Sequence, residues 1–387
     1  MNTVKVGYQQ TEVGVIPKDW EIVSLDFIAN VNPRSNLLPD SFVYIDLESV
    51  NKGSLLHENH ILKEGAPSRA QRLLKKNDIL FQMVRPYQKN NLFFDLSGDY
   101  VASTGYAQIR SKQNNKFLYY SVHSQRFVYD VMRRSTGTNY PAINSSDLKS
   151  LKIPLPSKLE QQKIADILTT WDSAIEKQSA LITQKQQLKK GLMQKIFSQE
   201  IRFKADDGSS FPDWADKKLG EITKITTGSS NREDSGLNGQ YTFFDRSEDI
   251  RKSDRYLFDG KAVIVAGEGS SFPPKYFEGK FDLHQRTYAI MNFIKTDSKY
   301  IFYFMDEYKN YLSRYAVGST VKSLRLPMFQ KMPVSLPSLP EQTKIANLLT
   351  LDDDDLSKLK QALDVLKAQK KGLMQKLLTG QVRVTIN

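Results

Sequence analysis

The 387-residue chain carries 55 basic against 43 acidic side chains, a formal charge of +12, with 40% hydrophobic and 11% aromatic residues. That content supports two or three packed domains rather than disorder, and cations interleaved with Tyr, Phe and Trp favour a polyanionic partner, nucleic acid ahead of membrane. Zero cysteines exclude disulfides, thiolate catalysis and Cys-based zinc sites; no 18-residue apolar run offers a membrane span, and MNTVKVGYQQ lacks the apolar core of a signal peptide, so a cytoplasmic location is expected.

In chain order, the first block opens with IPKDW (Ile16 to Trp20) and the loop NPRSN (Asn32 to Asn36), which offers Arg34 and Ser35. VYIDL, DILFQMV, NLFFDL and YAQIR follow as predicted strands between residues 43 and 110. The loop VRPYQKNN joins two of them and carries Arg85, Tyr87, Gln88, Lys89 and Asn90, residue types that suit guanine edges, phosphates and adenine. A helix is expected over KFLYYSVHSQRFVYDVMRR, and RRSTGTNY after it supplies Arg134, Ser135, Thr136 and Thr138. Each loop can also be read as an ordinary polar turn or helix cap.

Past Pro154 and Pro156 a long helix is predicted from about Lys158, with apolar positions at Ile164, Leu168, Trp171, Ile175, Ile182, Leu192 and Ile196. The tail QEIRF (Gln199 to Phe203) is expected to add an edge strand to a neighbouring block. The second block opens with FPDW (Phe211 to Trp214) and keeps the same order with YTFFDR, KAVIVAG, YAIMNF and the helical KYIFYFMDEYKNYLSRY. Its loops offer Ser230, Asn231 and Arg232 in TGSSNR, Ser270, Ser271 and Lys275 in GSSFPPKY, Gln285 and Arg286 in HQRTY, and Ser319, Lys322 and Arg325 in GSTVKSLR. A second long helix from about Glu341 alternates apolar residues by four and three, from Ile345 and Leu349 to Leu373 and Leu377, broken by Asp352 and Lys370, before the tail GQVRV.

These two halves repeat. Ile153 to Phe203 aligns without a gap onto Val334 to Val384, at one constant offset, with 20 of 51 positions identical and a shared KGLMQK. Pro17, Trp20, Leu25 and Ile28 are echoed by Pro212, Trp214, Leu219 and Ile222. Gly191 and Gly372 fall within both helices, where close helix approach would explain them.

No catalytic motif emerges. GxxxxGK[ST] is missing, GEGSSF lacks the third glycine of a dinucleotide fingerprint, Pro273-Pro274 is not flanked as in an amino-methyltransferase signature, and HENH (His57 to His60) is one residue short of HExxH. The chain is expected to be no enzyme and to hold neither metal nor cofactor.

LPSKLEQQKIADIL and LPSLPEQTKIANLL, each leading to KGLMQK, resemble the conserved regions of the specificity subunits of type I restriction-modification systems. The resemblance covers nearly the whole chain and implies a full-length subunit of α+β class. It implies two mixed α/β target-recognition domains (1–152 and 204–333) and two conserved helical regions (153–203 and 334–387). The helices would form an antiparallel coiled coil with a pseudo-two-fold internal repeat. It further implies a non-catalytic reader of a split site in double-stranded DNA, whose helix pair fixes the unread spacer. Two modification subunits using S-adenosylmethionine and two restriction subunits using ATP and Mg would complete the complex. Glu160, Gln161, Ile164, Leu168, Leu192, Glu341, Gln342, Ile345, Leu349 and Leu373 are expected to serve partner docking or helix pairing. Rival readings are a stand-alone sequence-specific DNA-binding protein, a coiled-coil interaction scaffold that no longer reads DNA, and an enzyme with an unrecognised site.

Overall fold

The computed structural model describes residues 5–35, 37–247 and 249–386; Asn36 of the NPRSN loop lies outside them. Two 40-residue helices, Lys158–Phe197 and Leu339–Leu378, run without interruption, each about 60 Å long at ~1.5 Å per residue. The chain divides into two compact units, residues 1–179 with 362–387 and residues 180–361. These boundaries cut both long helices, so each unit owns half of each, whereas the sequence sets the helical regions apart.

In the first unit, Leu92–Phe94, Asp78–Gln82, Tyr106–Ser111 and Ala29–Val31 form one antiparallel sheet. A second four-stranded sheet orders Asn59–Leu62, Ser41–Ile45, Tyr100–Ser103 and Ala70–Leu73, with its central pair parallel. Ile79, Phe81, Ala107 and Ile109 lie on one face of the first sheet and pack against the helices behind it. The second unit builds one six-stranded sheet: Lys224–Thr227, Thr287–Met291, Phe258–Ala266, Lys275–Leu283, Tyr241–Phe244 and Arg251–Ser253. The difference lies in one hairpin. In the second unit it is two unbroken nine-residue strands. In the first unit each arm is interrupted, at Lys75 to Asn77 and around Gly98, so the pairing falls into two sheets.

The expected recognition-block helix is two helices in both units. Ser124 ends Asn115–His123, and its hydroxyl accepts from the Phe127 amide to start Gln125–Arg134. Tyr308 similarly separates Ser298–Glu307 from Lys309–Tyr315. The strand Lys275–Leu283 is not legible in the sequence because glycine and charge interrupt its alternation. Leu25–Ile28 and Leu219–Ile222, the echoed openings, are matching four-residue helices.

Two further expectations fail. A Cβ on Gly191 or Gly372 would meet nothing within 4 Å beyond its own helix, so close helix approach does not explain these glycines. The expected edge strands Gln199 to Phe203 and Gly380 to Val384 do not form; the Ile201 and Val382 amides donate back to Lys195 O and Lys376 O, and the Arg202 and Arg383 side chains anchor the tails.

Candidate nucleic-acid interface

The repeated residues build the same junction twice. Glu341, fully buried, accepts from Nε and Nη2 of Arg202 at 2.7 and 3.0 Å and from Trp214 Nε1 at 3.2 Å. Glu160, 2% exposed, accepts from Arg383 Nε at 2.9 Å and Trp20 Nε1 at 3.2 Å. Arg383 also grips Asp19 at 2.7 and 2.9 Å, and these bonds raise its pKa further. Each neighbouring glutamine spans outward. Gln161 accepts from the Asn114 amide and donates to Pro156 O; Gln342 accepts from the Asp297 amide and donates to Pro337 O. Asn114 and Asp297 are the N-caps of the recognition-block helices, so one Glu-Gln pair ties the domain opening, a tail and a domain helix to the start of a long helix.

This corrects the docking expectation. Glu160, Gln161, Glu341 and Gln342 are buried within their own units and offer no carboxylate or amide face to another subunit. Ile164, Leu168, Ile345 and Leu349 are also buried: the first pair packs with Leu373, Leu377 and Leu378, the second with Met193 and Ile196. Within each unit the helix halves therefore pair antiparallel, and Leu192 and Leu373 stand half-buried at the margin of those contacts.

The divergent loops form the other layer. In the first unit the Arg85 amide donates to Pro141 O at 2.7 Å, and its guanidinium lies 4.1 Å from the Tyr140 ring centroid. This joins VRPYQKNN to RRSTGTNY. Val84 and Thr136 both bridge Ala142, and Asn32 Nδ2 donates to Ser145 Oγ, which brings NPRSN alongside. Arg34, Tyr87, Gln88, Thr136 and Thr138 are exposed here, with Ser35 and Ser135 half-buried. Arg134 folds back onto Ser150. Lys89 and Asn90 turn away: Lys89 Nζ donates to His123 O at 3.0 Å, where burial and the Lys371 charge lower its pKa, and Asn90 Oδ1 accepts from the Lys52 amide. These two hold the loop's base.

In the second unit all four predicted loops converge. Asn231 and Gln285 bond side chain to side chain at 2.7 Å. Gly269 pairs with Lys322 and Glu268 with Ser323 in a two-residue ladder. Arg286 and Arg246 share Glu268, at 2.5 and 3.3 Å, leaving much of both guanidiniums exposed. Arg232 donates to Asp245 at 2.7 Å; burial disfavours the Asp245 charge, but Ser247 bonds and Arg232 outweigh it and keep its pKa low. Ser270, Ser271, Ser319, Lys322 and Arg325 are exposed. Ser230 is buried instead, donating to Asp282 at 2.6 Å, and Lys275 is spent on Ser247 O. Sequence pattern does not mark out Tyr140 or Arg246, whereas the identity of Arg202 and Arg383 across the repeat is a signal for the tail arginines.

The turns repeat as well. Thr136 bridges Ala142, and at the same offset along the chain Val317 bridges Ser323, each across a glycine with positive φ, Gly137 at +97° and Gly318 at +123°. Each unit thus carries one exposed, cation-bearing loop cluster and one copy of the repeated junction. Residues 17–184 and 212–367 match the type I restriction modification DNA specificity domain.

The chain belongs to that family. Specificity subunits similar to it include that of the type I restriction enzyme MjaVIII of Methanocaldococcus jannaschii, 26% identical over 95% of this chain and 94% of the relative. That of EcoDI from Escherichia coli is 31% identical over 44% of this chain and 39% of its own length. The fold is shared with a chain from a type I restriction-modification assembly, at TM-score 0.62 and 20% identity, covering 95% of this chain and 99% of the other. The S subunit from M. genitalium gives TM-score 0.59 and 18% identity, covering 95% and 97%. Among the described residues there is no group of three metal-ligating side chains and no helix long and apolar enough to cross a membrane.

Proposed function

We propose that this specificity subunit reads a bipartite site in double-stranded DNA, one half per recognition domain, and that it does so without catalysing a reaction. The observation that carries this is the division of labour within each unit. Residues identical across the repeat, Glu160 with Arg383 and Glu341 with Arg202, build the scaffold, while the exposed loops carry different side chains, Arg34, Tyr87 and Gln88 in one unit against Ser270, Ser271 and Lys322 in the other. Two unlike readers on like mounts suit an asymmetric target.

In this reading the cations supply phosphate contacts and register, while Arg, Gln and Asn edges supply base discrimination of about 1 to 3 kcal/mol per good bidentate contact. The paired long helices act as a coiled-coil ruler of pseudo-two-fold character that fixes the spacer. Modification subunits would extrude and methylate adenines with S-adenosylmethionine, and restriction subunits would supply the ATP- and Mg-dependent cutting, two of each, in the cytoplasm. With the Glu-Gln junctions buried, partners would meet the exposed flanks of the helices.

The test is single-molecule sequencing of native DNA from the host with and without this gene. Loss of one split adenine-methylation motif on deletion is the expected result, and a lost contiguous motif would contradict it. A four-residue insertion near Ser179 should then change the spacer and leave both half-sites as they were.

A further inference from the structure

A tyrosine, an aspartate and a lysine meet on the helix pair in each unit. In the first, Tyr120 donates to Asp172 Oδ2 at 2.6 Å, lies 3.2 Å from Thr169 Oγ1, and sits under the Lys370 ammonium at 5.3 Å, while Lys370 bonds Asp172. In the second, Tyr303 donates to Asp353 Oδ2 at 2.8 Å, reaches Thr350, and sits under Lys189 at 4.9 Å, while Lys189 bonds Asp353. Thr169, Asp172 and Lys189 recur at the repeat offset as Thr350, Asp353 and Lys370. The two clusters are therefore repeat images, with helix roles exchanged.

Each cluster joins three elements: a recognition-domain helix and both long helices. Away from the clusters most seam positions are aliphatic and spaced by four and three, Trp171, Gln178, Lys185 and Asp352 excepted, and an aliphatic four-and-three pattern can interdigitate again after a one-heptad slide. The clusters do not tolerate such a slide. It would strip the counter-charge from a lysine that is only 14 or 19% exposed, and it would part the tyrosine hydroxyl from its acceptor. The aspartate and the lysine lie equally far apart along each helix, from Asp172 to Lys189 and from Asp353 to Lys370.

We propose that Tyr120–Asp172–Lys370 and Tyr303–Asp353–Lys189 are the positioning residues that set spacer length, by locking helix register and the seating of each recognition domain in one interaction. This rests on the ruler reading above and assigns that role to six side chains that need touch no DNA.

The experiment is selection from a random duplex library by the full chain assembled with its modification subunits, followed by sequencing of half-sites and spacer. Wild type should return one spacer. Lys189→Glu with Lys370→Glu should reduce preference for that spacer over its neighbours at least ten-fold while keeping both half-sites. Adding Asp172→Lys and Asp353→Lys should restore it. Tyr120→Phe with Tyr303→Phe removes only two hydroxyls and serves if the reversed charges prevent assembly; a several-fold loss of spacer preference is expected. A spacer preference untouched in assembled variants overturns the inference alone. A wild-type selection returning no two-part site overturns the ruler, and the inference with it.

Discussion

Arg383 and Glu160 lie 223 residues apart in the chain, and their side chains meet at 2.8 Å. The contact ties the last segment of the protein to the start of the first long helix, beside Trp20. Removing the arginine leaves a carboxylate buried with one indole donor. Arg383→Met should therefore cost about 2 kcal/mol in denaturant unfolding, below the 3 to 5 of a fully buried pair because Arg383 is partly exposed. Combining it with Glu160→Gln should cost less than the two single changes added together.

His123 gives the first unit an acid sensitivity. Its ring contacts Tyr119 O and Asn91 Nδ2, and burial lowers its pKa to about 4. A histidine neutral in the folded state and ordinary when unfolded contributes stability above its unfolded pKa, near 6.5, which is lost as pH falls towards 4. Wild type should lose roughly 1 to 2 kcal/mol between pH 7 and pH 5 relative to His123→Gln, measured by denaturant midpoints at each pH. Equal losses in both proteins would place the acid sensitivity elsewhere.

Gly191 and Gly372 are helical, and a methyl group at either meets open space. Gly191→Ala and Gly372→Ala should each stabilise the chain by about 0.5 to 1 kcal/mol. A destabilising result in the assembled complex but not in the free chain would mean that a partner approaches the helix at that point.

The loop clusters should be separable in binding. Arg85→Ala is expected to relax a position in one half-site, and Arg286→Ala a position in the other, by about 1 to 3 kcal/mol if each contacts a base edge. If either contacts phosphate, affinity should fall evenly over all sequences, with the salt slope reduced by about 1. Competition binding on libraries varied in one half-site at a time distinguishes the two.

Gly318 is held at φ +123°, and a Cβ there would lie 2.3 Å from Val321 O. Gly318→Ala should disorder the turn carrying Ser319 and Lys322 and weaken reading of one half-site only, with hydrogen exchange rising over residues 316–323 and the other half-site unaffected.

Sequence alone determined the repeat, the two long helices and the family, because these rest on identities at fixed spacing: Glu160 with Glu341, KGLMQK twice, and Ile345 and Leu349 on a four-and-three rhythm. It also placed the loops, since their polar residues fall between predicted strands. It could not tell which loop residues face outward. Arg85, Lys89 and Asn90 look alike in the string, yet one packs on Tyr140 while the others brace His123 O and the Lys52 amide. Nor could it reveal that the Glu-Gln pairs look inward, because a repeated carboxylate on a helix reads the same whether it awaits a partner or holds Arg202. Only tertiary structure decides that. Burial and the partner of a charge are set by segments 139 to 223 residues away, and no local pattern encodes a contact at that distance.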